Sequence, residues 1–425
     1  MRIAIIGSGI AGLTAARKLC VEHEVTVFEA NDYIGGHTNT IDVEAEGRQW
    51  AVDTGFIVFN DWTYPNFIAL MKELGVESQP SQMGFSMRCA RTGIEYCGSS
   101  LDQLFAQRAN LVSPRFWGMI RDILRFNKES RRLLDGNDDA LGLGAYLEQE
   151  GYSRRFIDHY IVPMGAAIWS TDPRTMLRFP ARYFVDFFNN HGLLSVKERP
   201  QWHVIKGGSR SYVGPLTAPF AESIRLRTPV RRVVRDEAGV DLVLDGGHRE
   251  RFDAVVFACH SDQALALLEQ PTAAEREVLG AIPYQPNRAV LHTDTRVLPR
   301  RQRAWAAWNY HVPAQPTAAV SVTYHMNILQ TLPARTQFLV TLNPTMDIDS
   351  AQVIREIDYQ HPVYTPEGVA AQQRRSELMG VNRSFYCGAW WSYGFHEDGV
   401  KSGLVAAAAV QSWSMHAELP LLRAS

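Results

Sequence analysis

The sequence predicts an α/β fold that contains a Rossmann-type βαβ unit, and three observations carry that prediction. An apolar run, Ile3–Ile6, leads into Gly7-Ser8-Gly9-Ile10-Ala11-Gly12, and Leu13, Ala16 and Leu19 follow at helical spacing. A second apolar run, Val25–Phe28, ends in Glu29 and completes a unit of about thirty residues. The chain has 425 residues and 46% hydrophobic content, enough for two sizeable cores, so a second domain is expected.

Each part of the βαβ unit has a physical task. Gly7 permits the tight turn, Gly9 lets the backbone approach a pyrophosphate without a Cβ in the way, and Gly12 lets helix and strand pack closely. The helix that opens at Ser8–Ala11 presents free N–H groups and a positive dipole end to phosphates. Glu29, with Ala30 after it, stands about twenty positions beyond the glycines, where an acid accepts hydrogen bonds from ribose hydroxyls. Together these features raise the motif above a lone glycine-rich turn.

Composition excludes other classes. The formal net charge of −2 points neither to nucleic acid nor to a bulk acidic partner. Five cysteines, Cys20, Cys89, Cys97, Cys259 and Cys387, are odd in number and scattered. That pattern argues against a disulfide framework and against a metal site, and fits a reducing cytoplasm. Glycines interrupt the apolar opening before a signal-peptide core can form. No apolar run reaches the roughly 18 residues of a membrane span, so any membrane contact is expected to be peripheral, at the inner membrane surface.

The residues after Glu29-Ala30 run into Gly35-Gly36-His37-Thr38. This resembles the extended fingerprint of the flavin amine oxidase, phytoene desaturase and protoporphyrinogen oxidase superfamily, in which Gly-Gly-Arg is usual. The resemblance implies FAD as cofactor and a two-dinucleotide-binding FAD domain interrupted by an α+β substrate domain. It also implies Gly36, His37 and Thr38 beside the diphosphate and ribityl chain. His37 in place of arginine leaves the diphosphate with a weaker or pH-dependent charge partner.

Members of that superfamily leave the FAD domain and return to it. Trp202–Ser209, with Gly207-Gly208, resembles the family's turn ahead of a helix. Ile224–Val230 leads into hairpin strands at Val230–Val234 and Val240–Leu244, and the family position of Val230 contacts adenine through its backbone. Phe252–His260 reads as the last sheet strand before the second excursion. Cys259 and His260, adjacent on that strand, are given a structural role. The segment Phe385–Trp391, Gly394–Val400 and Ser402-Gly403 resembles the family's closing signature, which places Gly388 near the cofactor. There the N–H groups of Gly399 and Val400, at the start of the last helix, are expected to face the flavin N1–C2 edge and stabilise reduced flavin. Ala389 stands where many relatives place an acid. The resemblance implies an FAD domain of 1–75, 200–270 and 375–425 and a substrate domain of 76–199 and 271–374.

In the substrate domain, Ser113-Pro114 forms a cap ahead of Phe116, Trp117, Ile120, Ile123 and Leu124 at helical spacing, with Arg115, Arg121, Arg125, Lys128, Arg131 and Arg132 interleaved. A core-facing helix with solvated arginines is favoured over a lipid-surface helix. Tyr160–Trp169, Phe179–Phe188, Trp305, Trp308 and Tyr310 are apolar enough to line a cavity, although core is the commoner fate of such stripes. Asn189-Asn190-His191 is expected to cap a helix.

The motifs at Gly35–Thr40, His191–Leu194 and Gly208-Ser209 also resemble the flavoprotein-like region that precedes the methyltransferase in plant cyclopropane fatty acid synthases, and its stand-alone bacterial relatives. That resemblance implies lipid acyl chains as substrate and a lipid-modifying enzyme as partner. The expected reaction is hydride transfer from a C–H bond of an apolar substrate, fatty acyl or isoprenoid, to flavin N5. A single glycine-rich fingerprint leaves oxygen or a quinone as acceptor. Phe395 and Tyr393 are expected as aromatic walls at the flavin, and His396 as a base or a helix-start hydrogen-bonding residue. Many amine-oxidising relatives hold a water near N5 with a lysine, but no lysine falls within 271–374. Amine oxidation stays open as a rival, as does a non-catalytic flavin-binding partner of a lipid-modifying enzyme.

Overall fold

The computed structural model describes residues 1–136, 138, 140–315 and 321–422, the final helix by its backbone alone beyond 416. Its centre is a five-stranded parallel sheet made from β1 (Arg2–Ile6), β2 (Glu24–Phe28), β3 (Ile224–Arg225), β4 (Ala254–Phe257) and β5 (Ser384–Tyr386), in the order β3-β2-β1-β4-β5. Buried on both faces, β1 and β4 are near-continuous apolar runs, as parallel strands covered by helices must be. Helix α1 (Ile10–Leu19) lies against the long helix α3 (His396–Leu422). Their approach is so close that a Cβ on Gly403 would stand 2.4 Å from the Ala11 carbonyl oxygen.

The expected strand Phe252–His260 is two strands. Arg249–Phe252 pairs antiparallel with Val240–Val243, which pairs with Arg232–Arg235 to make a three-stranded sheet. Asp253 breaks the run, because its N–H donates to the Arg2 carbonyl at 2.8 Å and its carboxylate accepts from the Arg2 N–H at 2.7 Å. Those bonds turn the chain from one sheet into the other.

A seven-stranded sheet draws on two distant stretches. Phe85–Cys89 and Glu95–Cys97 join Tyr284–His292, Trp308–Val312, Ser321–His325, Leu339–Leu342 and Val353–Pro362 through the parallel register Trp308↔Phe85. Helices from the first stretch pack on it around Phe116, Phe126, Phe156, Phe179, Phe184 and Phe188. Phe179, Phe184 and Phe188 are therefore core, not cavity wall, as are Trp305 and Tyr310.

Helix α2 (Pro114–Glu129) starts where the sequence places it, with the Ser113 hydroxyl accepting from the Phe116 N–H. Its buried face is Phe116, Met119 and Phe126, while Trp117 and Leu124, expected on the apolar face, point into solvent. The reason is register: residues seven apart share a face, and that face is opposite the Phe116–Met119–Phe126 seam. His191 ends the helix Ala181–Asn190, its ring nitrogen Nδ1 2.9 Å from the Phe187 carbonyl oxygen. Among the described residues no helix is long and apolar enough to cross a membrane, and no group of side chains is arranged to hold a metal.

Candidate functional site

A cavity of about 1200 Å³ opens at the carboxyl ends of β1, β2 and β4 and reaches the seven-stranded sheet. This is where α/β sheets of this type take their ligands. The glycine turn Gly7–Ala11 forms one wall, with Glu29, Ala30, Gly36 and His37 beside it and Val230 at the same end. Gly388, Tyr393, Phe395 and His396 reach the cavity from the chain's last segment.

The glycines of the turn differ in what requires them. Gly7 has φ +110°, and a Cβ there would meet the Ala258 carbonyl oxygen at 2.7 Å. A Cβ on Gly12 would stand 2.2 Å from the Gly7 carbonyl oxygen. Both are demanded by the protein's own packing. Around Gly9 no atom lies within 4 Å of the Cβ position, and its backbone is in the extended region open to any residue. Its want of a side chain answers to whatever fills the cavity.

No side chain caps α1, so its first-turn N–H groups are left at the cavity wall. The second glycine pair lies directly on this turn: Gly9 and Gly35 form an isolated parallel bridge, and a Cβ on Gly36 would come within 3.3 Å of the Gly9 Cα. A bare helix N-terminus, two apposed glycine segments and an acid at the end of β2 together fit a dinucleotide diphosphate and its ribose.

Glu29 carries more than its sequence position announces. One carboxylate oxygen accepts from the Ser8 N–H at 3.0 Å and from the Ser8 hydroxyl at 2.6 Å, and the other accepts from the Asn31 N–H at 2.9 Å. It clamps the glycine turn to β2, with lone pairs left for hydroxyl donors.

Four expected cofactor residues are not cavity lining: Gly12, Thr38, Gly399 and Val400. Gly12 is packed behind the turn, and Thr38 points into a buried polar knot in which its hydroxyl meets the Tyr212 hydroxyl and lies 3.0 Å from His396 Nε2. His396 Nε2 is also 3.1 Å from the Tyr212 hydroxyl, and the ring stacks on Phe56 at 3.5 Å. His396 is thus anchored at the start of α3. Burial pushes its pKa well below the ordinary range.

The expectation for Gly399 and Val400 requires correction. Helix α3 begins at His396, so the Gly399 N–H already donates to the Phe395 carbonyl at 3.1 Å, and neither residue lines the cavity. Gly399 packs on Ile10 of α1 and Val400 lies in the core. Asp398, at the same helix start, accepts from the Phe395 N–H at 2.9 Å, and burial raises its pKa to about 6. Phe395 stacks on Phe187 at 5.2 Å, and the Tyr393 hydroxyl donates to Asp186.

The cavity also gathers residues that the motifs do not mark. Cys259 and His260, expected to be purely structural, both line it, and the His260 ring stacks on Tyr284 at 4.4 Å. The strand Val353–Pro362 contributes every residue from Arg355 to Pro362, with Ile357, Tyr359 and His361 two apart on its less exposed face. His37 stacks on Tyr359 at 4.8 Å and lies 5.3 Å from His361. Burial lowers the pKa of His37 and His260 to about 4 and of His361 to about 3, with repulsion from His260 adding to the effect on His37, and repulsion from His37 and His260 to that on His361. Period-two alternation in 355–361 was the available signal, but nothing local shows which sheet face meets the glycine turn. Ile168, Trp169, Trp308, Tyr324, Leu342 and Tyr364 line it as well, the charged Asp32, Arg231, Arg355, Glu356 and Asp358 also reach it, and among the described residues no lysine belongs to it.

Comparison with known proteins agrees with this geometry. Residues 10–327 match the model of the flavin containing amine oxidoreductase family. A Mycobacterium tuberculosis protein described as a flavin-containing monoamine oxidase, AofH, is 28% identical over 267 residues, 58% of this chain and 54% of that protein. The 15-cis-phytoene desaturase of Synechococcus elongatus is 36% identical over 88 residues, 20% of this chain and 18% of the desaturase. The first of these matches covers about half of the relative's length. Among solved structures, cyclohexylamine oxidase from Brevibacterium oxydans IH-35A superposes with a TM-score of 0.70 at 20% identity, covering 96% of this chain and 98% of that one. A fatty acid isomerase from P. acnes gives 0.67 at 17% identity over 97% and 98%. The chain belongs to the flavin containing amine oxidoreductase family, and its cofactor is the flavin dinucleotide FAD.

Proposed function

We propose that the chain is an FAD-dependent oxidoreductase that withdraws hydride from a C–H bond of an apolar, lipid-like substrate, fatty acyl or isoprenoid, in the manner of a desaturase. One observation carries the substrate class: the cavity wall includes Ile168, Trp169, Trp308, Tyr324, Leu342 and Tyr364, and no lysine among the described residues. FAD, when bound, supplies the hydride acceptor at N5.

The chain's own residues do the rest. Gly9, the first turn of α1, Gly36 and His37 would hold the diphosphate, Glu29 and Val230 the adenosine end, and Gly388, Tyr393 and Phe395 the ring end. The proposed FAD-binding portion is 1–75, 200–270 and 375–425, which supplies all five strands of the parallel sheet. The seven-stranded sheet comes wholly from 76–199 and 271–374, the proposed substrate portion. Aromatic walls exclude water from the reacting bond. His37 Nε2 and His260 Nδ1 are buried without a hydrogen-bond partner among the described residues, and burial disfavours the protonated form of both rings. Oxygen or a quinone would reoxidise the protein.

The description of the Mycobacterium tuberculosis relative favours amine oxidation as the second reading. Anaerobic mixing with a panel of unsaturated phospholipids and isoprenoids should bleach the bound flavin, and amines should not. Peroxide release from primary amines or polyamines, with no lipid effective, would replace the first reading with the second. Tight FAD with no turnover on any donor, and copurification with a lipid-modifying enzyme, would replace both.

A further inference from the structure

We propose that the surface formed by Leu101, Leu111, Val112 and the outer face of α2 docks the protein onto an anionic lipid bilayer. Large apolar side chains on that surface have no cover: Val112 is 83% exposed, Leu101 77%, Leu124 54%, Trp117 49% and Leu111 47%. They form one patch. The Trp117 indole N–H donates to the Leu111 carbonyl at 2.9 Å, and its ring lies 5.4 Å from Phe105, one helical turn beyond Leu101.

Along α2 the solvent stripe reads Trp117, Arg121, Leu124, Lys128, alternating apolar and cationic groups at steps of four, three and four residues. Such a stripe lets apolar tips enter the acyl boundary while the cations meet headgroup phosphates. Between residues 101 and 132 the chain carries seven Lys and Arg against three Asp and Glu, although its overall charge is −2. Arg300, Arg301 and Arg303 are exposed on the adjoining turn, with Arg303 3.2 Å from Asp102. The acids nearby are already engaged: Asp102 by Arg108 and Arg303, Glu95 by Arg301, Asp122 by Arg125, and Glu129 and Glu150 by Arg132. Arg115, Arg121 and Lys128 pair with no acid among the described residues.

Other occupants fit less well. A second copy of the chain, related by a twofold axis, would set these cations against each other. Nucleic acid would use the cations and leave Val112 and Leu101 without a partner.

The test is flotation of the full-length holoprotein with vesicles of phosphatidylcholine alone and of phosphatidylcholine with phosphatidylglycerol. The readout is binding, so it does not depend on the substrate reading. The protein should float with the anionic vesicles only, and salt should release it. The Val112→Glu/Leu124→Glu variant should partition at least tenfold less. Arg121→Gln/Lys128→Gln should lose about fivefold for each cation removed. Retained flavin absorbance shows that a variant is folded. The proposal is overturned if the wild type stays with the soluble fraction, or if both variants float as it does. It is equally overturned by a concentration-dependent dimer that Val112→Glu/Leu124→Glu abolishes, or by duplex DNA that displaces anionic vesicles.

Discussion

Gly9 and Gly12 stand three residues apart in one turn, yet substitution at each should fail for a different reason. At Gly9 the backbone has φ −69° and ψ 172°, and the Cβ position has no neighbour within 4 Å. Gly9→Val is expected to fold, with a stability change of about 1 kcal/mol or less from the poorer helix cap. The added side chain then occupies the space in front of the uncapped N–H groups of α1. Two charge-assisted hydrogen bonds to the diphosphate, each worth roughly 1.5–3 kcal/mol, would be lost, so FAD affinity should fall by about two to four orders of magnitude. Gly12→Ala presents the opposite case. Its Cβ would stand 2.2 Å from the Gly7 carbonyl oxygen and 2.9 Å from the Ala258 Cβ, and overpacking of this kind costs roughly 1–3 kcal/mol in the fold itself. Thermal unfolding of the apoproteins, with calorimetric titration of FAD into each, separates the two. A Gly9→Val protein that binds FAD as the wild type does would refute the reasoning, as would one that cannot fold.

Three further outcomes are expected. Glu29→Ala should weaken FAD binding by about 1–3 kcal/mol and also lower apoprotein stability, because the Ser8 and Asn31 donors lose their acceptor; equal FAD affinity by titration would remove the ribose assignment. Glu275→Ala should destabilise by about 3–5 kcal/mol in denaturant unfolding, since it strands the buried Arg235 guanidinium, 2.5 Å away, and the Tyr386 hydroxyl, 2.6 Å away. Stability should also fall as pH drops from about 6.5 toward 4. Burial lowers the folded-state pKa of His37, His191, His260, His292, His311 and His325 to about 4, that of His361 to about 3, and that of His396 well below the usual value. In that window the unfolded chain takes up protons that the folded chain refuses, at roughly 3 kcal/mol for a group such as His37. Asp53 and Asp398, raised to about 6, act in the opposite direction but are outnumbered. Urea unfolding that shows equal or greater stability at pH 5 than at pH 7 would contradict this balance.

By itself the sequence determined the βαβ unit, because that unit is local. Turn, helix start and acid lie within one short stretch, and Gly7, Gly12 and Glu29 are constrained by neighbours less than thirty residues away, Ala258 excepted. The caps at Ser113 and the hairpin from Arg232 to Val243 were legible for the same reason. What tertiary structure alone decided was convergence and orientation. Tyr359 and His361 reach His37 only because the seven-stranded sheet docks across the mouth of the parallel one, and no periodicity encodes that docking. The start of α3 at His396 moved the free N–H groups off Gly399 and Val400, since a helix boundary depends on which carboxylate reaches the turn, here Asp398. On α2, helical spacing marked Trp117 and Phe116 alike as apolar; packing chose Phe116 for the core and left Trp117 outside, because one helix face can meet only one seam of neighbours.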